Sequence, residues 1–194
     1  MKTSAAIVLS FCIAYGLAGC SATERNTETS DQLSGAAGNF IAYAEDLERL
    51  SVPLSLQSDS EDFPLPPEGI DSVLYQQFKH SYALQPAGIL YQNPEYVAVL
   101  EYSAGDYGMV PLLTTYTPAG IKIDSLAPYS VSGTDMGYQA TETVTFKENK
   151  EIEIVATVTR AKVQEGEVVE GSEETTTRST IYRIQPDGRF SVEE

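Results

Sequence analysis

From Tyr82 to the C-terminus apolar and polar residues alternate with a period of two, and this pattern restricts the fold more than any other feature of the chain. A strand turns successive side chains to opposite faces, so sustained alternation specifies sheets with one face in a core. Tyr96, Ala98, Leu100 and Tyr102 share one face while Val97 and Val99 occupy the other, which marks this segment as a central strand covered on both sides. Met109–Tyr116 and Ile121–Ala127 flank Thr117-Pro118-Ala119-Gly120, a turn sequence, and so read as a hairpin. Tyr138, Ala140, Val144 and Phe146 form a stripe with Thr141, Thr143 and Thr145 opposite. Lys147-Glu148-Asn149-Lys150 turns the chain into Glu151–Arg160, where Ile152, Ile154, Ala156 and Val158 repeat the stripe. An acidic loop over Gly166–Glu174 leads to a Thr-rich strand ending at Ile184, and Pro186-Asp187-Gly188 turns it towards Phe190 and Val192.

Upstream, helical spacing replaces alternation. Phe40, Ile41, Ala44, Leu47 and Leu50 predict a helix over Asn39–Arg49 with Asn39 as N-cap. Ser51–Gln57 alternates and tolerates Pro53 as an edge strand, and Ser58–Pro67 is loop. A second helix is expected over Pro67–Lys79, with Ile70, Val73, Leu74 and Phe78 as its apolar face. The expectation is a mainly β (α+β minor) domain: an antiparallel meander forming a curved sheet, open barrel or sandwich, with one or two short N-terminal helices. The loosely similar strand–turn–strand units after Tyr107 leave a partial propeller-like arrangement open.

The N-terminus has a different character. Lys2 precedes an apolar run from Ala5 to Ala18, interrupted by Ser10, Tyr15 and Gly16, and the run ends in Leu17-Ala18-Gly19-Cys20. A spanning helix needs about 20 apolar residues, so this shorter run fits an export segment instead. Positive charge, short hydrophobic stretch, small residues and cysteine in this order resemble the lipobox of bacterial lipoprotein signal peptides. The resemblance implies cleavage between Gly19 and Cys20, a diacylglycerol on the Cys20 sulfur and further acylation (palmitate or a similar chain) on the new amine. One acyl chain, at about 0.8 kcal/mol per buried CH₂, binds a bilayer marginally, whereas two or three hold it stably. Ser21 follows the cysteine; absence of aspartate there leans towards the outer membrane rather than the inner.

The resulting organisation is a signal peptide over 1–19, a flexible lipidated tether over 20–38 and one β-rich domain over 39–194. The tether is rich in Ser, Thr, Glu, Asn and Gly, and Leu33 is its only large aliphatic residue, too little to offset ordering. Its r.m.s. reach is roughly 20–25 Å. Both cysteines, Cys12 and Cys20, fall at the N-terminus, which leaves the domain no disulfide and no thiolate chemistry. Lipobox, tether and the C-terminal strand rhythm together resemble small bacteroidete-type envelope lipoproteins. That resemblance implies a β-rich envelope protein and transfers no catalytic residue.

Residues able to carry chemistry are few. The formal net charge is −16, which disfavours nucleic acid because that ligand requires a basic footprint. His80 is the single histidine, and no G-x-S-x-G elbow accompanies it, so it reads as a surface or capping residue. Asp59, Glu61 and Asp62 could offer oxygen ligands to calcium but lack EF-hand spacing, and with Glu165, Glu167, Glu170, Glu173 and Glu174 they read first as solvated loops. No cofactor is implied. Tyr91, Tyr96, Tyr102 and Tyr107 are either sheet packing or an aromatic strip for a glycan or protein. The threonine rows at 141/143/145, 157/159 and 175/176/177 read as a solvated sheet face with side chains stiff at χ1. Asp71-Ser72-Val73 and Asp124-Ser125-Leu126 resemble the Asp-Ser/Thr-aliphatic acceptors of O-glycosylation in bacteroidete envelope proteins, with Ser72 and Ser125 as acceptors.

The functional expectation is a membrane-anchored envelope lipoprotein with a non-catalytic β-rich binding domain. Its partners are the bilayer, through acylated Cys20, and an envelope protein or glycan. A carboxylate-dependent envelope hydrolase acting on glycans and a structural envelope component are the alternatives.

Overall fold

The computed structural model describes residues 37–60, 62–105 and 108–193. A helix, α1, covers residues 37–46. It is followed by β1 (Leu54–Gln57), α2 (Ser72–Phe78), β2 (Gln85–Gln92), β3 (Val97–Gly105), β4 (Gly108–Tyr116) and β5 (Lys122–Leu126). The second half contains β6 (Gly133–Asp135), β7 (Tyr138–Phe146), β8 (Glu151–Arg160), β9 (Val163–Gln164), β10 (Glu167–Val168), β11 (Glu174–Ile184) and β12 (Phe190–Glu193). The protein is mainly β, and its ladders are antiparallel.

Strands β2-β3-β4-β5 form one four-stranded meander. The larger sheet runs β1-β7-β8-β11-β12, with β6 paired to β7 beyond the end of β1. The two sheets pack face to face as an open sandwich. Their shared core takes Ala98 and Leu100 from β3 and Leu113 from β4, against Val144 and Phe146 of β7, Ile152 and Ile154 of β8 and Ile184 of β11. The opposite face of the four-stranded sheet carries a second core, where Phe40 and Tyr43 of α1, Leu47 just after it, and Tyr75 and Phe78 of α2 cover Ile89, Val97, Val99 and Tyr116. The layers therefore run helices, four-stranded sheet, six-stranded sheet. β3 is covered on both faces, as its sequence anticipates.

Several expectations need correction. The antiparallel sandwich stands, with β1 joining β7 across the whole four-stranded sheet, and two stacked sheets replace the propeller-like arrangement. Asn39 lies within α1 rather than capping it, and its side chain donates to Gln77 Oε1 at 3.4 Å. Helix α1 stops at residue 46, after which Arg49 forms a parallel bridge with Ile89. Helix α2 begins at Ser72 rather than Pro67, because Gly69 has φ 77° and Asp71 is the cap. Asp71 Oδ1 accepts from the N–H groups of Val73 and Leu74 at 2.7 and 3.1 Å. Tyr75 and Phe78 form its buried face, while Val73 is 72% exposed. The acidic loop opens with β10, which pairs with β9 just before it in a small hairpin. Among the described residues no helix is long and apolar enough to cross a membrane.

Candidate functional site

Strands β7, β8 and β11 turn their inward stripe into the sandwich, so the intervening positions face away from it. Cross-strand register places Gln139, Thr159 and Thr175 in one row and Thr141, Thr157 and Thr177 in the next. Gln57, Thr143, Val155 and Ser179 make a third row, and Ser55, Thr145, Glu153 and Ile181 a fourth. Strand geometry spaces such rows about 6.5–7 Å apart and neighbours within a row about 4.8 Å apart. The result is a two-dimensional array of hydroxyl groups, partly or fully exposed throughout.

Neighbouring hydroxyls fix one another. Thr159 and Thr175 meet at 2.9 Å, Thr157 and Thr177 at 3.4 Å, and Ser55 and Thr145 at 2.9 Å. Branching at Cβ restricts χ1, so each threonine holds its hydroxyl and methyl in defined directions. Among the described residues of these rows, charge enters at one margin. Lys147 Nζ lies 2.9 Å from Glu153, and Arg183 bridges Glu151 and Glu193. The hydrogen bond from Lys147 holds the Glu153 carboxyl below its ordinary range.

Two buried acids lie elsewhere, and the sequence reading passed over both. Glu142 of β7 is 1% exposed and occupies the gap in the stripe Tyr138, Ala140, Val144, Phe146. Its carboxylate accepts from the backbone N–H groups of Ser130, Val131 and Ser132 and from the Ser130 and Ser132 hydroxyls, at 2.6–3.2 Å. Burial alone would push its pKa up, but the bonds from Ser132, Val131 and Ser130 outweigh that and hold it below the usual carboxylate range. Glu101 of β3 is fully buried under the helices, with the His80 N–H and the Thr114 hydroxyl as donors. Desolvation dominates there, pushing its carboxyl up to about 7. The signal for both acids was positional: period two places 101 beside 97 and 99, and 142 between 140 and 144.

The residues singled out from sequence are scattered. Gly19, Cys20, Glu61 and Tyr107 lie outside the described residues. Asp59 and Asp62 are exposed in the loop after β1, and among the described residues no group of three or more His, Cys, Asp or Glu is placed to hold a metal ion. Of the two readings of the tyrosines, sheet packing holds for Tyr91, Tyr96 and Tyr102, and the strip is corrected at these three. Tyr91, Tyr96 and Tyr102 are buried inside the sandwich, because they share the inward face with Ala98 and Leu100. Tyr91 donates its hydroxyl to the Lys147 carbonyl at 2.8 Å, and Tyr102 packs edge-on to Phe63. His80 follows Lys79, the C-cap of α2, donating its N–H to Glu101 and accepting at Nδ1 from the Tyr82 N–H. Ser72 is exposed at the start of α2, and Ser125 is half-buried on edge strand β5.

A groove of about 530 Å³ separates α1 from the β2–β3 rim. Phe40, Ala44, Leu47 and Val97 line it, with Glu45 and Arg49 also on its walls, and Arg49 hydrogen-bonds Gln92 there. Comparison with protein-family models, with curated proteins and with solved structures returned no match.

Proposed function

We propose that the chain is a lipid-anchored envelope protein whose sandwich is a non-catalytic binding module, and that the hydroxyl array of the six-stranded sheet contacts a neutral glycan. The observation that carries the reading is the alignment of Thr141, Thr157 and Thr177, with Thr159 and Thr175 beside them, on one solvent-facing surface. Hydroxyls both donate and accept, which matches the hydroxyls of a sugar chain. Fixed rotamers lower the entropy lost when such a ligand is bound. On a chain of net charge −16, an array with its ionic groups confined to one edge favours an uncharged ligand over an anionic one. Glu101, the acid with the raised pKa, is sealed beneath α1 and α2, which favours a structural role for it over acid catalysis.

The anchoring half of the reading rests on the lipobox resemblance at Leu17–Cys20. Cys20→Ser should move the protein from the membrane fraction to the soluble one, and continued detergent-dependent retention would refute the anchor. The binding half is tested by sedimentation with insoluble neutral polysaccharides and by a glycan array. Thr157→Lys with Thr177→Lys should cut binding about tenfold or more while leaving the circular dichroism spectrum unchanged. Equal binding by wild type and the double variant, or no neutral glycan bound at all, would refute it.

A further inference from the structure

We infer that Glu101 is a proton-operated latch: uncharged, it lets α1 and α2 close on the four-stranded sheet, and charged, it favours opening of that helical layer. The side chain projects from the middle of β3 into the helix–sheet core. Both carboxylate oxygens lie 3.1–3.2 Å from one N–H, that of His80, where the chain leaves α2. The Thr114 hydroxyl of β4 donates at 3.3 Å. Glu142 shows what a stable buried carboxylate needs here, with three N–H groups and two hydroxyls aimed at it. Glu101 has one of each.

The groups facing Glu101 come from every surrounding element. Tyr43 comes from α1, Tyr75 from α2, and Tyr116 from β4; burial first, and then in part the Glu101 charge, raises the pKa of all three. Lys79, next to α2, and Lys122 of β5 favour the charged carboxylate, but only weakly against the desolvation. The Tyr116 hydroxyl is already committed to the Phe78 carbonyl, and those of Tyr43 and Tyr75 have no partner among the described residues. His80 has its own pKa lowered, by burial and then by Lys122.

The sign follows from linkage. The folded-state pKa is raised from 4.5 to about 7, so the neutral form is the one the closed layer stabilises. That stability is complete below pH 4.5 and is lost as pH rises towards 7. If opening returns the carboxylate to water and to a pKa of 4.5, the opening constant rises about 30-fold between pH 5.5 and pH 8.5. Only groups under the helices take part, so the β7–β8 ladder should not share the response.

Hydrogen exchange on the full chain at these two pH values, corrected for intrinsic exchange, reads the latch directly. Amides of α2 and of His80 should show the roughly 30-fold rise in opening, those of β7 and β8 should not, and Glu101→Gln should abolish the rise. A pH-independent α2, or a rise that persists in Glu101→Gln, would overturn the proposal. Should that variant not fold, carboxyl ¹³C titration of the wild-type chain decides the matter. A Glu101 midpoint near 7 supports the latch, and one at 4.5 eliminates it.

Discussion

Replacing Glu142 by glutamine removes one charge from a site built around it. The native carboxylate gathers three backbone N–H groups and two hydroxyls from Ser130–Ser132, while its own N–H donates to Ser58 Oγ. Four of those five donors reach Oε2. Glutamine keeps one acceptor oxygen and turns an NH₂ towards groups that are themselves donors. Hydrogen bonds to a charged acceptor contribute about 1.5–3 kcal/mol against about 0.5–1.5 for neutral ones, so several weakened or lost bonds amount to about 2–4 kcal/mol after partial relaxation. With a urea m-value of about 2 kcal/mol/M, the midpoint should fall by about 1–2 M. The pH dependence gives an independent check. The Glu142 pKa is depressed, so its stability is present above the unfolded value of 4.5 and is lost as pH falls through the lower folded value. The deficit of Glu142→Gln should therefore narrow in acid. A urea midpoint unchanged at pH 7, or a deficit that widens in acid, would refute the account of Glu142 as an anion held by the 130–132 loop.

The remaining tests concern packing. Gly120 has φ 77°, and a Cβ there would lie 2.6 Å from Phe40 Cβ and 2.8 Å from Phe78 Cε1. Gly120→Ala should cost about 2–4 kcal/mol in urea unfolding, combining left-handed strain with overpacking of the helical layer. Phe146 is fully buried between the two sheets, and Phe146→Ala should cost about 3–5 kcal/mol. A loss below 1 kcal/mol in either case would show that the site repacks freely.

The legible parts of the fold were those whose signal is local. The alternation of Val97–Tyr102 separated the two faces of β3 correctly, and the Thr117–Gly120 and Lys147–Lys150 turns closed the hairpins assigned to them. The pairing of β1 with β7 left no trace, because Ser55 meets Thr145 across 90 residues and neither sequence names the other. Helix α2 was overextended because Pro67 and Glu68 make a good first turn in isolation, while the Asp71 cap and Gly69 set the actual start. The choice between strip and packing for Tyr91, Tyr96 and Tyr102 was illegible for a different reason. Tyrosine suits an interface and a core equally well, and only the stripe shared with Ala98 and Leu100 distinguishes them. Glu101 and Glu142 defy the usual solvent preference of carboxylates, and strand periodicity alone places both inward.

These two acids and the hydroxyl array divide the molecule into sides with different physical tasks. The described chain enters through α1, which packs on the outer face of the four-stranded sheet, and the threonine rows lie on the outer face of the other sheet. With sheets and helices each stacked about 10 Å apart, entry helix and hydroxyl surface are about 20 Å from one another. A chain held in a membrane by residues preceding α1 could thus present the array on the side of the sandwich remote from its entry helix. Proton-dependent loosening at Glu101 would act on the entry side, whereas the five donors around Glu142 stiffen the sheet that carries the array. A pH change that alters exchange in α2 should therefore leave the proposed glycan binding unchanged, and loss of both together would show that the two faces are mechanically coupled.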